Sequence, residues 1–180
     1  MSEVRDLVLE VPTVADAAAL SACAQASFLE TFGYVVYPPG DREHFLATMM
    51  GPERYAAQIA DPAYALRIVR GADGALIGFV KAGPNELPMP DGEPARERTF
   101  ELHQLYLREG AKGTGLADRL MAFVDAEARA RGALAVYLSV FIENVRAQRF
   151  YARHGYVEIG KNPFRVGNTV DDDRVWRKWV

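Results

Sequence analysis

The chain is short of the residues from which covalent staples and metal centres are made. It has one cysteine, Cys23, so no disulfide can form within it, and a reducing compartment is expected. Its three histidines, His44, His103 and His154, show no metal-ligand spacing with that cysteine or with carboxylates, so no metal is expected. No run approaches the roughly 20 apolar residues of a membrane-spanning helix. The opening MSEVRDLVLE has neither the basic start nor the apolar stretch of a signal peptide. These absences point to a cytoplasmic protein that engages no membrane. A charge surplus is missing too. The 21 basic and 24 acidic residues leave a net −3, without the basic excess of a phosphate-backbone binder, so no nucleic-acid partner is expected. Ser139 lacks the G-x-S-x-G turn of hydrolases, and Cys23 lies in an alanine-rich segment where a lone cysteine is a small core residue. Neither is read as a nucleophile.

What is present is an ordinary globular mixture, 49% hydrophobic and 25% charged over 180 residues, which suits one domain spanning 1–180. Val4 to Glu10 alternate as a strand does. Thr13 and Asp16 form a cap ahead of a helix to about Thr31. The prolines of GYVVYPPG break that pattern, and helices resume at about 41–50 and 52–60, the latter with Pro52 in its first turn. Two β-rich runs flank Gly71-Ala-Asp-Gly74, a hairpin signal. The proline-rich stretch 84–98 reads as an exposed loop. TFELHQLYLRE reads as a strand, GALAVYLSVF as a central strand, ENVRAQRFYARHG as a short helix closed by Gly155, and the end as two antiparallel strands. The triplet Asp171 to Asp173 reads as a solvated turn or loop of that last hairpin. The expected class is α/β (α+β): a mixed, mostly antiparallel sheet of about seven strands flanked by helices.

The segment EGAKGTGLADRLMAFV, residues 109–124, places three glycines in six positions ahead of a helix expected from about Thr114 to Arg131. A strand, a glycine turn and a helix N-terminus make an anion site, since unpaired helix N–H groups point outward and the dipole adds roughly half a positive charge. Gly113 and Gly115 have no Cβ to hold a phosphate off the backbone, and Lys112 can add a side-chain charge. A Walker loop is excluded because Lys112 precedes Gly113, and a dinucleotide fingerprint because Asp118 occupies its third small position. A glycine turn without a ligand is the alternative on this segment alone.

A second constellation lies in YLSVFIENVRAQRFYARHGYVEIG, residues 137–160. Asn144, Gln148 and Tyr151 share a helix face, and Gly155 and Tyr156 follow. Asn144, Ala147, Tyr151, Gly155 and Tyr156 resemble, in order, the carboxy-terminal motif of the GNAT superfamily of acyl-CoA-dependent N-acyltransferases. The loop from Gly110 through Lys112, Gly113 and Thr114 to Gly115 resembles that family's pyrophosphate loop. It differs in having Gly110 where arginine or glutamine is usual, and in being about two residues shorter between Leu107 and Gly113. Phe28–Gly33, the proline turn and EHFL resemble the substrate side of the polyamine and small-amine acetyltransferase branch. The resemblance implies acetyl-CoA as co-substrate, a pantetheine arm in a gap beside Leu105, Tyr106 and Leu107, a backbone N–H there polarising the thioester, and a small-molecule or peptide amine as acceptor.

It also implies roles for side chains. Alternation along ELHQLYL puts Glu101, His103, Leu105 and Leu107 on one face. An alkylammonium with a pKa of about 10.4 must lose a proton before it attacks. Glu101 matches a position where the family often has a carboxylate and is the first choice of base, directly or through water, with His103 the second. An ion pair for Glu101 and a packed imidazole for His103 are the alternatives. Tyr151 matches the family's general acid for the leaving thiolate, a core phenol being its alternative. Asn144 would bond the pantetheine, cap its helix, or both. Phe28, Phe32, Tyr34 and Tyr37 line an acceptor pocket or pack in the core or a lid. A non-catalytic acyl-CoA sensor of the same fold is the alternative function. Exposed sheet edges leave room for a homodimer.

Overall fold

The computed structural model describes residues 7–180. Helices α1 (Ala17–Phe32), α2 (Asp41–Met49) and α3 (Pro52–Ala60) precede strands β1 (Ala65–Arg70), β2 (Leu76–Gly83) and β3 (Thr99–Leu107). Then come α4 (Leu116–Ala130), β4 (Ala135–Phe141), α5 (Val145–Arg153), β5 (Val157–Val166) and β6 (Thr169–Trp179). The six strands lie in the order β1-β2-β3-β4-β6-β5, antiparallel except where β3 meets β4. The expected class therefore holds, with one strand fewer. Of the first expected strand, residues 4–6 lie outside the described residues, and of the rest only Glu10 pairs, in a single bridge to Ile68. The Thr13–Asp16 cap forms: the Thr13 N–H donates to the Asp16 carboxylate at 2.8 Å.

The sheet separates two cores. On one face Val80, Phe100, Leu102 and Leu107 meet Leu116, Leu120 and Val124 of α4. On the other, Ile68 and Phe79 meet Leu20, Phe28 and Tyr55 of α1 and α3. Burying one such side chain contributes about 2 kcal/mol, so both helical layers are held on by their apolar stripes. The stretch 84–98 is not simply an exposed loop. Leu87 is buried against Ala135, Tyr137 and Val175, Asn85 donates to Thr99 Oγ1 at 3.0 Å, and Glu93 accepts from Arg177 and from the Tyr137 hydroxyl. Its apolar Leu87 and Met89, spaced between prolines, cover a patch of sheet left open by the helices.

Two irregularities of β3 shape the site. First, β3 and β4 pair only from Thr99↔Ala135 to Glu101↔Tyr137, and beyond that the parallel ladder stops. The Arg108 N–H donates back to Ile77 of β2 at 2.9 Å. Alternation then turns the N–H groups of Leu107 and Leu105 to the opposite edge, into the gap beside β4. Second, Ala82 faces Leu102 while Lys81 faces Gln104, which leaves His103 as the extra residue of a β-bulge. The bulge shifts the phase of alternation. Leu105 and Leu107 join Leu102 on the α4 face, whereas Gln104 and Tyr106 turn to the α3 face. Glu101 and His103 therefore do not share a face with Leu105 and Leu107, contrary to the simple period of two.

Candidate active site

The gap between β3 and β4 opens into one continuous cavity of about 800 Å³. Glycine-loop and α5 residues line one half: Lys112, Gly113, Gly115, Asn144, Arg146 and Tyr151 among them. The other half is walled by α1–α3, β2, β3, β5 and β6.

The loop half is built for an anion. Gly113 and Gly115 adopt φ of +78° and +86°, which only glycine takes without strain, and a Cβ at either would meet open space. Among the described residues the N–H groups of Gly113, Thr114 and Gly115 have no acceptor, so three donors border the start of α4. Lys112 adds less charge than a free lysine, since its Nζ pairs with Glu109 at 2.6 Å. Gly110 sits in a short 3₁₀ turn, Glu109–Ala111, and lines nothing. Thr114 turns its hydroxyl inward to the Ala111 carbonyl at 2.7 Å. Arg146 and Arg153, which sequence reading did not single out, also line this half. Arg146 and Arg153 stand seven residues apart on one face of α5, a spacing that would have suggested them only once α5 was known to border the loop. These features fit a diphosphate: cradle donors, room where a Cβ would be, and flanking guanidinium groups.

Helix α5 is fixed at both ends. The Asn144 side chain accepts the Ala147 N–H at 3.1 Å, a cap worth about 1 kcal/mol. His154 Nε2 meets Asp118 Oδ1 of α4 at 2.9 Å, which ties the two motifs together across the sequence. Gln148 donates to the Phe141 and Ile142 carbonyls at 3.2 and 2.6 Å, fastening α5 to the end of β4. Between these anchors Tyr151 is half-buried, and burial pushes its phenol up to about 12. It remains protonated at neutral pH. Among the described residues its hydroxyl has no hydrogen-bond partner, so the proton is not committed elsewhere.

In the half walled by α1–α3, Glu101 is 6% exposed and both of its oxygens are engaged. Oε2 accepts the Glu86 N–H at 2.8 Å, and Oε1 lies 3.2 Å from His103 Nδ1. His103 Nε2 is 3.1 Å from the Pro84 carbonyl, which can only accept, so the imidazole donates there and turns Nδ1 to Glu101. Phe28, Phe32 and Tyr37 line this half together with Phe45, Phe141 and Phe164, while Tyr34 is 62% exposed and does not. Lys81 is buried in the wall, donates to Gln58 at 3.0 Å, and is lowered to about 8 by burial and by Arg54. Asp171 and Asp173 line the cavity from within β6 and are no turn. Three successive acids disfavour a strand, but Asp171 meets Tyr37 of the α1–α2 connection and Asp173 meets Ser139 of β4, partners that a local reading cannot see.

The sequence model of the acetyltransferase (GNAT) family matches residues 29–156, more than half of the chain. An uncharacterized N-acetyltransferase of Mycobacterium tuberculosis is 35% identical over 148 residues, covering 81% of this chain and 88% of that one. The PaiA N-acetyltransferase of Thermoplasma acidophilum, solved in complex with coenzyme A, shares the fold with a TM-score of 0.74 at 18% identity, over 97% of this chain and 99% of that one. The ribosomal-protein-S18-alanine N-acetyltransferase of Escherichia coli does so with a TM-score of 0.66 at 13% identity, over 97% and 94%. Both sequence motifs, the parted strands and these likenesses agree: the chain belongs to the acetyltransferase (GNAT) family.

Proposed function

We propose that the chain transfers the acetyl group of acetyl-CoA directly to a primary amine of a small molecule or peptide, without a metal or a covalent enzyme intermediate. The observation that carries this reading is one cavity bordered by an N–H cradle at Gly113–Gly115, the opened β3 edge and the phenol of Tyr151. Acetyl-CoA supplies the activated acetyl group as a thioester. The loop amides and Arg146 would hold its diphosphate, with Lys112 flanking. The edge at Leu105, Tyr106 and Leu107 would pair with the pantetheine arm, and an N–H in the gap would polarise the carbonyl. Asn144, besides capping α5, borders the same arm. Tyr151 would protonate the departing sulfur. Glu101, with His103, is the base that the sequence resemblance suggests.

The reading extends to one domain over the whole chain, acting in the cytoplasm, where Cys23 stays a thiol. The test is a panel of amine acceptors incubated with the enzyme and acetyl-CoA, with free thiol as the readout. Acetyl-CoA-dependent thiol release that requires an amine supports direct transfer. Tight acetyl-CoA binding with no release across the panel overturns it in favour of a sensor.

A further inference from the structure

Asp173 is left unused by that scheme. It lies on β6 opposite Phe141 of β4, is 9% exposed, and lines the cavity. Its Oδ2 accepts the Ser139 hydroxyl at 3.0 Å, and Ser139 Oγ accepts Asn162 Nδ2 of β5 at 3.0 Å. Among the described residues Oδ1 has no donor, and no lysine, arginine or histidine pairs with the carboxylate. The neighbouring Arg174 turns instead to Asp172 at 2.8 Å and to Glu158 at 3.6 Å. A buried carboxylate without a cation is costly, and here it faces a cavity from which a cation can reach it.

The groups around it are few. Asp171 stands two residues before it, tied to Tyr37 from the α1–α2 connection, and Asp172 flanks it on β6. Tyr106 of β3 lies within electrostatic reach of Asp173. Burial, opposed by the Ser139 hydrogen bond and aided by Asp171 and Asp172, pushes the Asp173 carboxyl up to about 6. Such a group is ionised at neutral pH yet basic enough to accept a proton. Glu101, by contrast, already holds the Glu86 N–H on one oxygen and has the His103 ring 3.2 Å from the other.

Resting on the acetyl-transfer reading, we propose that Asp173 is the general base, its Oδ1 receiving the proton that the acceptor's ammonium sheds. The nitrogen loses two protons. The first passes to Asp173 and on to solvent, freeing the lone pair that attacks the thioester carbon. The second leaves as the C–N bond forms and the C–S bond breaks, and it restores the phenol after Tyr151 has protonated the thiolate.

The test uses the full chain, acetyl-CoA and two probe acceptors, butylamine, an ammonium at neutral pH, and hydroxylamine, which arrives neutral. Free thiol is read across the pH range, and acetyl-CoA affinity is measured alongside. Asp173→Asn is expected to lower kcat with butylamine at least about 100-fold and with hydroxylamine by less than about threefold. It should abolish the acid limb of the wild-type profile near pH 6 and leave acetyl-CoA affinity unchanged. Glu101→Gln should keep that limb. An Asp173→Asn enzyme that retains rate and limb with butylamine, or that loses both probes equally, overturns the assignment, as does loss of the limb in Glu101→Gln. Wild-type chain that binds acetyl-CoA but acetylates neither probe defeats the transfer reading itself, and the base with it.

Discussion

The Tyr37 hydroxyl donates to Asp171 Oδ2 at 2.7 Å, joining the connection between α1 and α2 to β6 at the wall of the cavity. Burial, then this bond, raises the phenol, so it stays a donor at any working pH. Tyr37→Phe removes the link while keeping the ring. The expected outcome is a several-fold higher acceptor KM with an unchanged acetyl-CoA affinity, and a stability loss of about 1 kcal/mol in denaturant unfolding. Equal effects on both substrates would place Tyr37 outside acceptor binding.

Tyr151→Phe separates chemistry from binding. Because the hydroxyl has no protein partner among the described residues, its removal leaves no orphaned group, and the melting temperature should change little. Turnover should fall by about 100-fold or more, the range of a lost general acid, with acetyl-CoA affinity kept within a few-fold. Steady-state kinetics and calorimetric binding check both halves. Unchanged turnover would reduce Tyr151 to a core aromatic.

Much of this arrangement was legible from sequence. Helix and strand patterns, with caps and turn residues between them, marked the elements from α1 to β6. The loop at Gly113–Gly115 and the segment Asn144–Tyr156 could be found because their chemistry is local: backbone donors, a cap and a turn lie within a few residues of each other. What could not be read depends on partners distant in the chain. The bulge at His103 is set by its register with Lys81 and Ala82, and it moves Leu105 and Leu107 off the face of Glu101. Asp173 is buried by Ser139, 34 residues away, and Asp171 is held by Tyr37, 134 residues away. Read alone, an acidic triplet looks solvated.

The glycine loop gives a third prediction. At Gly113 the backbone is left-handed and a Cβ would enter open space rather than protein. Substitution therefore costs about 1–2 kcal/mol in backbone strain, without a packing clash. Gly113→Val adds branched bulk where a diphosphate would lie. Its acetyl-CoA affinity should fall by more than Gly113→Ala's, and by more than the larger φ penalty of a β-branched residue takes from its melting temperature. Calorimetric titration of both variants, with their melting temperatures as control, checks the order. Matching affinities in the two would locate the diphosphate elsewhere.

The last prediction concerns stability and its sign. The Asp173 carboxyl rises from the ordinary value of 3.8 to about 6, so the folded protein binds this proton more tightly than the unfolded chain does. Its contribution to stability is thus fully present below about pH 3.8 and is lost as pH climbs through about 6. At pH 8 the ionised group opposes folding by an amount on the order of 3 kcal/mol, at one pKa unit to about 1.4 kcal/mol. Asp173→Asn removes that opposition, and its amide oxygen can still accept the Ser139 hydroxyl. The variant should therefore melt several degrees above wild type at pH 8, with the gap closing toward pH 4. A stabilised enzyme that has lost turnover with an ammonium acceptor is what a buried charge kept for catalysis entails. A variant that melts below wild type at pH 8 would instead make Asp173 a structural partner of Ser139 and Asn162.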